Sequence, residues 1–184
     1  MPQASGDAVW DRILTFLSGA ADRKKQLEAT LNELQQMLLR ELADTEQGQQ
    51  VNYLEKAIHY LRQTRLRNCS PQQEIWFELW QAGSYETLGD WRRALTAYEN
   101  VITLCDDDEY CSDKAEAFRW IGHIHTMQNQ WADAFKAYQE SLRLAGACGD
   151  EKVEANAYSG LAYYYFERGE LGQAGSYWEN ALEL

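Results

Sequence analysis

The chain has 184 residues, 45% of them apolar, with 17 basic against 29 acidic side chains and a formal net charge of −12. The apolar share excludes a disordered chain, and the length fits one domain or one compact block of repeats. The acidity argues against nucleic acid and anionic membrane as partners, because both repel a polyanion.

Two prolines occur beside seven Trp, eleven Tyr and five Phe, a composition that suits long helices packed by large side chains. No segment approaches the ~20 apolar residues that span a bilayer. The N-terminus lacks the basic start and apolar core of a signal peptide, so a cytoplasmic location is expected. Cys69, Cys105, Cys111 and Cys148 are too sparse for a disulfide scaffold. Cys105 and Cys111 have no second pair at metal-ligand spacing. Ordinary reduced thiols near helix ends are expected.

Residues 1–69 read as N-terminal helices. A short capping helix is expected over 7–18. A long helix over 22–44 carries Leu27, Leu31, Leu34, Leu38 and Leu42 on one stripe. After a polar break from Asp44 to Gln50, Val51, Leu54, Ile58 and Leu61 give a second stripe. The pair 24–44 and 50–67 reads as a degenerate or capping repeat, with Ala57 near its small position; a free coiled coil is the alternative. Ser70-Pro71-Gln72-Gln73 is a helix start with a capping box and Pro at the first helical position. Ser112 and Asp150 are weaker cap candidates.

From residue 70 onward the sequence repeats. Three units, about 75–114, 115–154 and 155–184, align without a gap. Small residues recur at Ala82, Gly122 and Ala162, and Gly or Asn at Gly89, Asn129 and Gly169. Apolar Trp91, Trp131 and Leu171 follow, then Ala94, Ala134 and Ala174, then Tyr98, Tyr138 and Trp178. Within a unit, Phe118, Ile121, Gly122 and His125 share one helix face. After a break at Gln128-Asn129-Gln130, Trp131, Ala134, Phe135, Tyr138 and Leu142 share another. Each unit is therefore an antiparallel helix pair that buries its apolar faces by stacking on its neighbours. Turns are expected near 45–50, 88–90, 128–130 and 168–170.

These residues resemble the tetratricopeptide repeat over 75–184. The second unit supplies Phe118, Ile121, Gly122, His125, Ala134, Tyr138 and Ser141. The third supplies Tyr158, Leu161, Ala162, Tyr165, Ala174, Trp178 and Ala181. The first departs from the pattern at Glu78 and Gln81, where Trp76, Leu79 and Trp80 are expected to carry the packing instead. The spacing exceeds the common period of about 34 residues and is similar to the family's longer-period variants, of roughly 40 residues. The excess falls at Cys105–Lys114 and Ala145–Lys152, in longer helices or longer loops. The resemblance implies an all-α fold, antiparallel helix pairs stacked in a right-handed tetratricopeptide-like solenoid.

It also implies a concave surface lined by the first helix of each unit. Carried onto this sequence, that surface takes Trp76, Leu79, Gly83, Glu86 and Thr87 from the first unit. The second gives Glu116, Arg119, His123, Thr126 and Met127, and the third Asn156, Ser159, Tyr163, Phe166 and Glu167. Arg119 is the one basic residue among them, which argues against the Lys/Asn/Arg clamp some members use on chaperone tails. Arg119 and Tyr163 are expected to be the main partner contacts, Arg119 meeting an acidic or C-terminal group.

Catalytic signals are thin. His123 and His125 diverge on a helix, His59 is remote, and neither a phosphate loop nor a nucleophile elbow occurs. The run Asp106–Glu109 lacks the spacing of a calcium loop. No catalytic residue, metal or cofactor is expected. The expected function is a protein-interaction module within a scaffold or regulatory protein, taking a protein or peptide partner. A self-assembling domain, pairing through Tyr177, Leu182 and Leu184, is the second reading; a ligand-sensing or enzymatic helical domain is the third.

Overall fold

The computed structural model describes residues 47–64, 70–106 and 108–184, together with positions 11, 13, 33, 34, 36 and 37. The expected helices over 7–18 and 22–44 otherwise lie outside the described residues. Ile13 and Leu34 are helical and buried. The described residues form seven α-helices and one 3-10 turn, with no strand among them: α1 Gln47–Thr64, α2 Pro71–Thr87, α3 Trp91–Leu104, the turn Asp108–Tyr110, α4 Cys111–Met127, α5 Trp131–Cys148, α6 Glu151–Glu167 and α7 Leu171–Leu182. They divide into two compact units, 1–94 and 95–184, so that α3 starts in one and runs into the other.

In the first unit, α1 starts three residues ahead of the expected 50, and its stripe Leu54, Ala57, Ile58 and Leu61 is buried. The capping box forms as read. The Gln73 backbone N–H donates to Ser70 Oγ at 3.3 Å, and the Ser70 N–H donates to Gln73 Oε1 at 3.0 Å. Such a cap is worth about 1 kcal/mol. The packing expected of Trp76 is carried by Phe77, which is buried and stacked on Trp80 at 5.6 Å, while Trp76 is exposed. Glu78, the misfit in the repeat pattern, is buried and ion-paired to Arg62 of α1. Burying one charge without the other would leave it uncompensated, so the two residues act as a set.

The second unit stacks the pair α4/α5 on the pair α6/α7. The recurring Gly/Asn has a backbone cause. Gly89, Asn129 and Gly169 sit at φ of 74°, 58° and 77°, the left-handed conformation in which Gly, and next Asn, is least strained. Around each, the same two bonds recur. The N–H groups of Gly89, Asn129 and Gly169 donate to Glu86, Thr126 and Phe166 carbonyls at 2.9 Å. Those of Asp90, Gln130 and Glu170 reach back five residues, to Tyr85, His125 and Tyr165. Each first helix thus ends in one turn geometry, and the chain reverses in three residues.

The excess over the common period is spent in two ways. After α3 it includes the 3-10 turn Asp108–Tyr110. After α5 it is helix, which runs to Cys148 and ends on left-handed Gly149. Asp150 then caps α6, accepting from the Val153 N–H at 3.2 Å. Ser112 is not a cap; it lies inside α4 and donates to Asp150 Oδ2 at 3.0 Å.

Tyr138 is the centre of this unit's core, with Ala134, Leu161 and Tyr164 around it. Its ring is held between two glycines. A Cβ on Gly122 of α4 would lie 2.9 Å from ring carbons, and one on Gly160 of α6 only 2.6 Å. A second cluster, Ala115, Ala145, Val153 and Ala157, joins the start of α4, the end of α5 and the start of α6. Beside it, Cys111 and Cys148 form a disulfide with Cα atoms 6.0 Å apart, within the ordinary range for that bond. The expectation of reduced thiols fails for this pair, because an antiparallel pair brings the start of its first helix to the end of its second. Cys105 is a buried free thiol whose pKa is pushed up to about 11, first by burial and then by Asp113.

Candidate partner-binding surface

The residues expected on the concave surface fall in both units. Trp76, Leu79 and Glu86 lie along α2 in the first, with Trp76 exposed and the other two half-buried. Arg119, His123 and Met127 lie on α4, and Asn156, Tyr163 and Phe166 on α6.

Within the second unit, α4 and α6 bring most of these side chains together. His123 and Tyr163 occupy the same place in successive repeats, and their rings lie 5.2 Å apart. Trp120 adds an edge-on contact to His123 at 5.7 Å. Tyr163 Oη donates to Met127 Sδ at 3.2 Å, so a half-buried aromatic pair continues into an exposed thioether. Tyr163 lies beside Glu167; burial, and then that carboxylate, raise its pKa. Burial is also the first cause of the lowered pKa of His123, followed by Arg119, with Glu167 opposing. At neutral pH this patch therefore presents uncharged rings and one thioether.

Arg119 is not the free cation the sequence suggests. Its Nε donates to Glu116 Oε2 at 2.7 Å and its guanidinium lies 4.0 Å from the centre of the Trp120 ring. The same Glu116 accepts from Asn156 Nδ2 on α6. Arg119, Glu116 and Asn156 thus form a closed network that ties α4 to α6, with most of the charge already compensated. Thr126 also leaves the surface: it is buried and donates to the Gly122 carbonyl at 2.9 Å. The ring of Phe166 meets Trp178 of α7 at 5.9 Å. Trp120 was missed by the repeat pattern, although its spacing of three from His123 places both near one helix face.

Among the described residues, no group of three His, Cys, Asp or Glu side chains could hold a metal ion. No described helix is long and apolar enough to cross a membrane. His125 hydrogen-bonds Gln130 across the α4–α5 turn.

No protein-family model matches the chain, and no curated protein matches it. Solved structures do. BtubC (BKLC) from P. vanneervenii superposes with a TM-score of 0.66 at 17% identity, over 98% of this chain and 70% of that one. Two crystal structures of MamA superpose with a TM-score of 0.52, at 16% and 17% identity. They cover 93% and 96% of this chain and 85% and 83% of theirs. The fold is thus an all-α helical repeat of stacked antiparallel helix pairs, similar to the tetratricopeptide-like fold of MamA.

Proposed function

We propose that the chain is a protein-interaction module, a longer-period tetratricopeptide variant, that holds a peptide or helix on the α4–α6 face. The observation that carries this reading is the ladder His123, Tyr163 and Met127, rings and a thioether aligned on successive first helices. Such side chains offer apolar area with few rotors and adaptable contacts, the usual character of interface anchors. Asn156, Glu116 and Arg119 position the two helices and rim the face. A partner that lays apolar side chains over Met127 and Tyr163 fits this surface better than one led by an acidic group, because Arg119 is already engaged. A non-catalytic role within a larger assembly suits such a face.

The test is affinity capture with wild type and with Tyr163→Ala, followed by calorimetry on the recovered partner and circular dichroism on both proteins. Tyr163→Ala should stay folded and bind at least about tenfold more weakly, the scale of an aromatic hot spot. A folded variant that binds like wild type would remove this face from consideration.

A further inference from the structure

The helix ends of the second unit differ in what holds them. α6 starts on a side-chain cap, Asp150. α4 starts without one, because Tyr110 stands at its cap position and makes no side-chain cap bond. The first N–H groups of a helix have no partner within it, so an uncapped start frays more easily. The end of α5 is weak for another reason. Its packing in the buried cluster stops at Ala145. Beyond that, Gly146 and Ala147 are exposed, and a Cβ on Gly146 would meet nothing within 4 Å. Glycine is also a poor helix former. The Cys111–Cys148 bond ties these two weak ends to each other.

The bond also lies at one end of the contacts that hold α4 against α6. Ser112, next to Cys111, donates to Asp150, two residues after Cys148. One turn further along α4, Glu116 accepts from Asn156 of α6 and from Arg119. Both bonded cysteines are only half-buried, and solvent-accessible disulfides are the ones that thiols reduce readily. The core beside them has its own support. Ala115, Ala145, Val153 and Ala157 are at most 8% exposed, and Tyr138 is wedged between Gly122 and Gly160. Cys105 is buried with its thiol pKa pushed up to about 11, so at neutral pH it stays protonated and does not exchange with the pair.

We propose that Cys111–Cys148 is a reversible redox latch: reduction releases the start of α4 and the end of α5 while the core stays folded, and so loosens the adjoining end of the α4–α6 face. A small-molecule thiol supplies the two electrons. Its thiolate attacks one cysteine sulfur, the S–S bond breaks, and a mixed disulfide forms; a second thiolate then displaces that cysteine. The products are two cysteine thiols and one small-molecule disulfide, with the protons of the two reagent thiols passing to the cysteines. A small-molecule disulfide closes the latch by the reverse steps. The latch holds whether or not the α4–α6 face binds a partner.

The test is hydrogen exchange read by mass spectrometry on the full chain in three states: oxidised, reduced with dithiothreitol, and reoxidised with oxidised dithiothreitol. Thiol alkylation reports Cys111 and Cys148 in each state. In the reduced protein, amides of 115–118, 146–148 and 154–156 should exchange at least about tenfold faster, as in local opening. Amides of 134–138 and 161–165 should keep their protection, and reoxidation should restore the original pattern. Cys148→Ser should match the reduced protein with or without reductant. A pair that is reduced only in denaturant, or an acceleration spread evenly over 111–184, would make the bond a structural staple and overturn the proposal. Unchanged exchange at 115–118, 146–148 and 154–156 in the reduced protein would overturn it as well.

Discussion

At the scale of single residues, the two glycines around Tyr138 behave differently from a glycine in open space. Gly83 also lies inside a helix, but an added Cβ there meets nothing within 4 Å. Helix propensity alone then favours alanine by about 0.5–1 kcal/mol, and Gly83→Ala should raise the midpoint of chemical denaturation. At Gly160 the same gain opposes a clash with a buried ring, and overpacking costs on the order of 1–3 kcal/mol. Gly160→Ala should lower the midpoint, and Gly122→Leu should lower it further than Gly122→Ala. An unchanged midpoint for Gly160→Ala would mean that Tyr138 is not held as described. The repeat pattern pointed to Gly122; Gly160 was hidden because it contacts a ring on a different helix pair, which no spacing within a unit reveals.

His123 gives a residue-scale dependence on pH. Its folded pKa lies below the ordinary value, through burial first and Arg119 second. The unfolded chain therefore binds this proton more readily than the folded one. The resulting stability is fully present above the unfolded value of about 6.5 and is lost as pH falls from there toward the folded value. Thermal melts of wild type and His123→Phe between neutral and mildly acidic pH should show wild type losing ground to the variant below about pH 6.5. Parallel curves would contradict the assignment.

At the scale of elements, the turns and the disulfide carry the testable weight. Gly169 is left-handed, so Gly169→Ala should cost on the order of 1 kcal/mol, whereas Asn129→Gly, at φ 58°, should be close to neutral. Denaturation of both variants checks this, and a destabilised Asn129→Gly would show that the asparagine side chain matters more than its backbone. The Cys111–Cys148 bond closes a sequence separation of 37 residues, for which roughly 2–4 kcal/mol is typical. Cys111→Ser should therefore melt below wild type without reductant and together with it under reductant. Helix pairing, the three turns and the Ser70 cap were legible in the sequence, because each depends on residues close in the chain. The Arg62–Glu78 pair was not, since it joins helices that periodicity alone does not bring together; the sulfur pair was overlooked although the antiparallel α4/α5 pairing brings its two ends together.

For the whole molecule, repetition is what made the fold readable. Five sets of residues in one register determine where helices start, turn and touch, and that geometry is matched by solved helical-repeat structures at identities of 16–17%. The candidate surface was legible in outline only. Spacing brought His123, Tyr163 and Met127 to one face, but it could not show that Glu116 and Trp120 occupy Arg119 or that Phe166 belongs with Trp178. Those outcomes depend on which neighbour a long side chain meets, and that is settled by packing between pairs.

The most direct test of a binding face on α4 and α6 is hydroxyl-radical footprinting of the full chain with and without its captured partner. Met127 is 50% exposed and Tyr163 is partly so, and both side chains oxidise readily. Partner binding should slow oxidation of both several-fold, as expected when anchor side chains are desolvated. Unchanged oxidation of Met127 and Tyr163 in a saturated complex would contradict it.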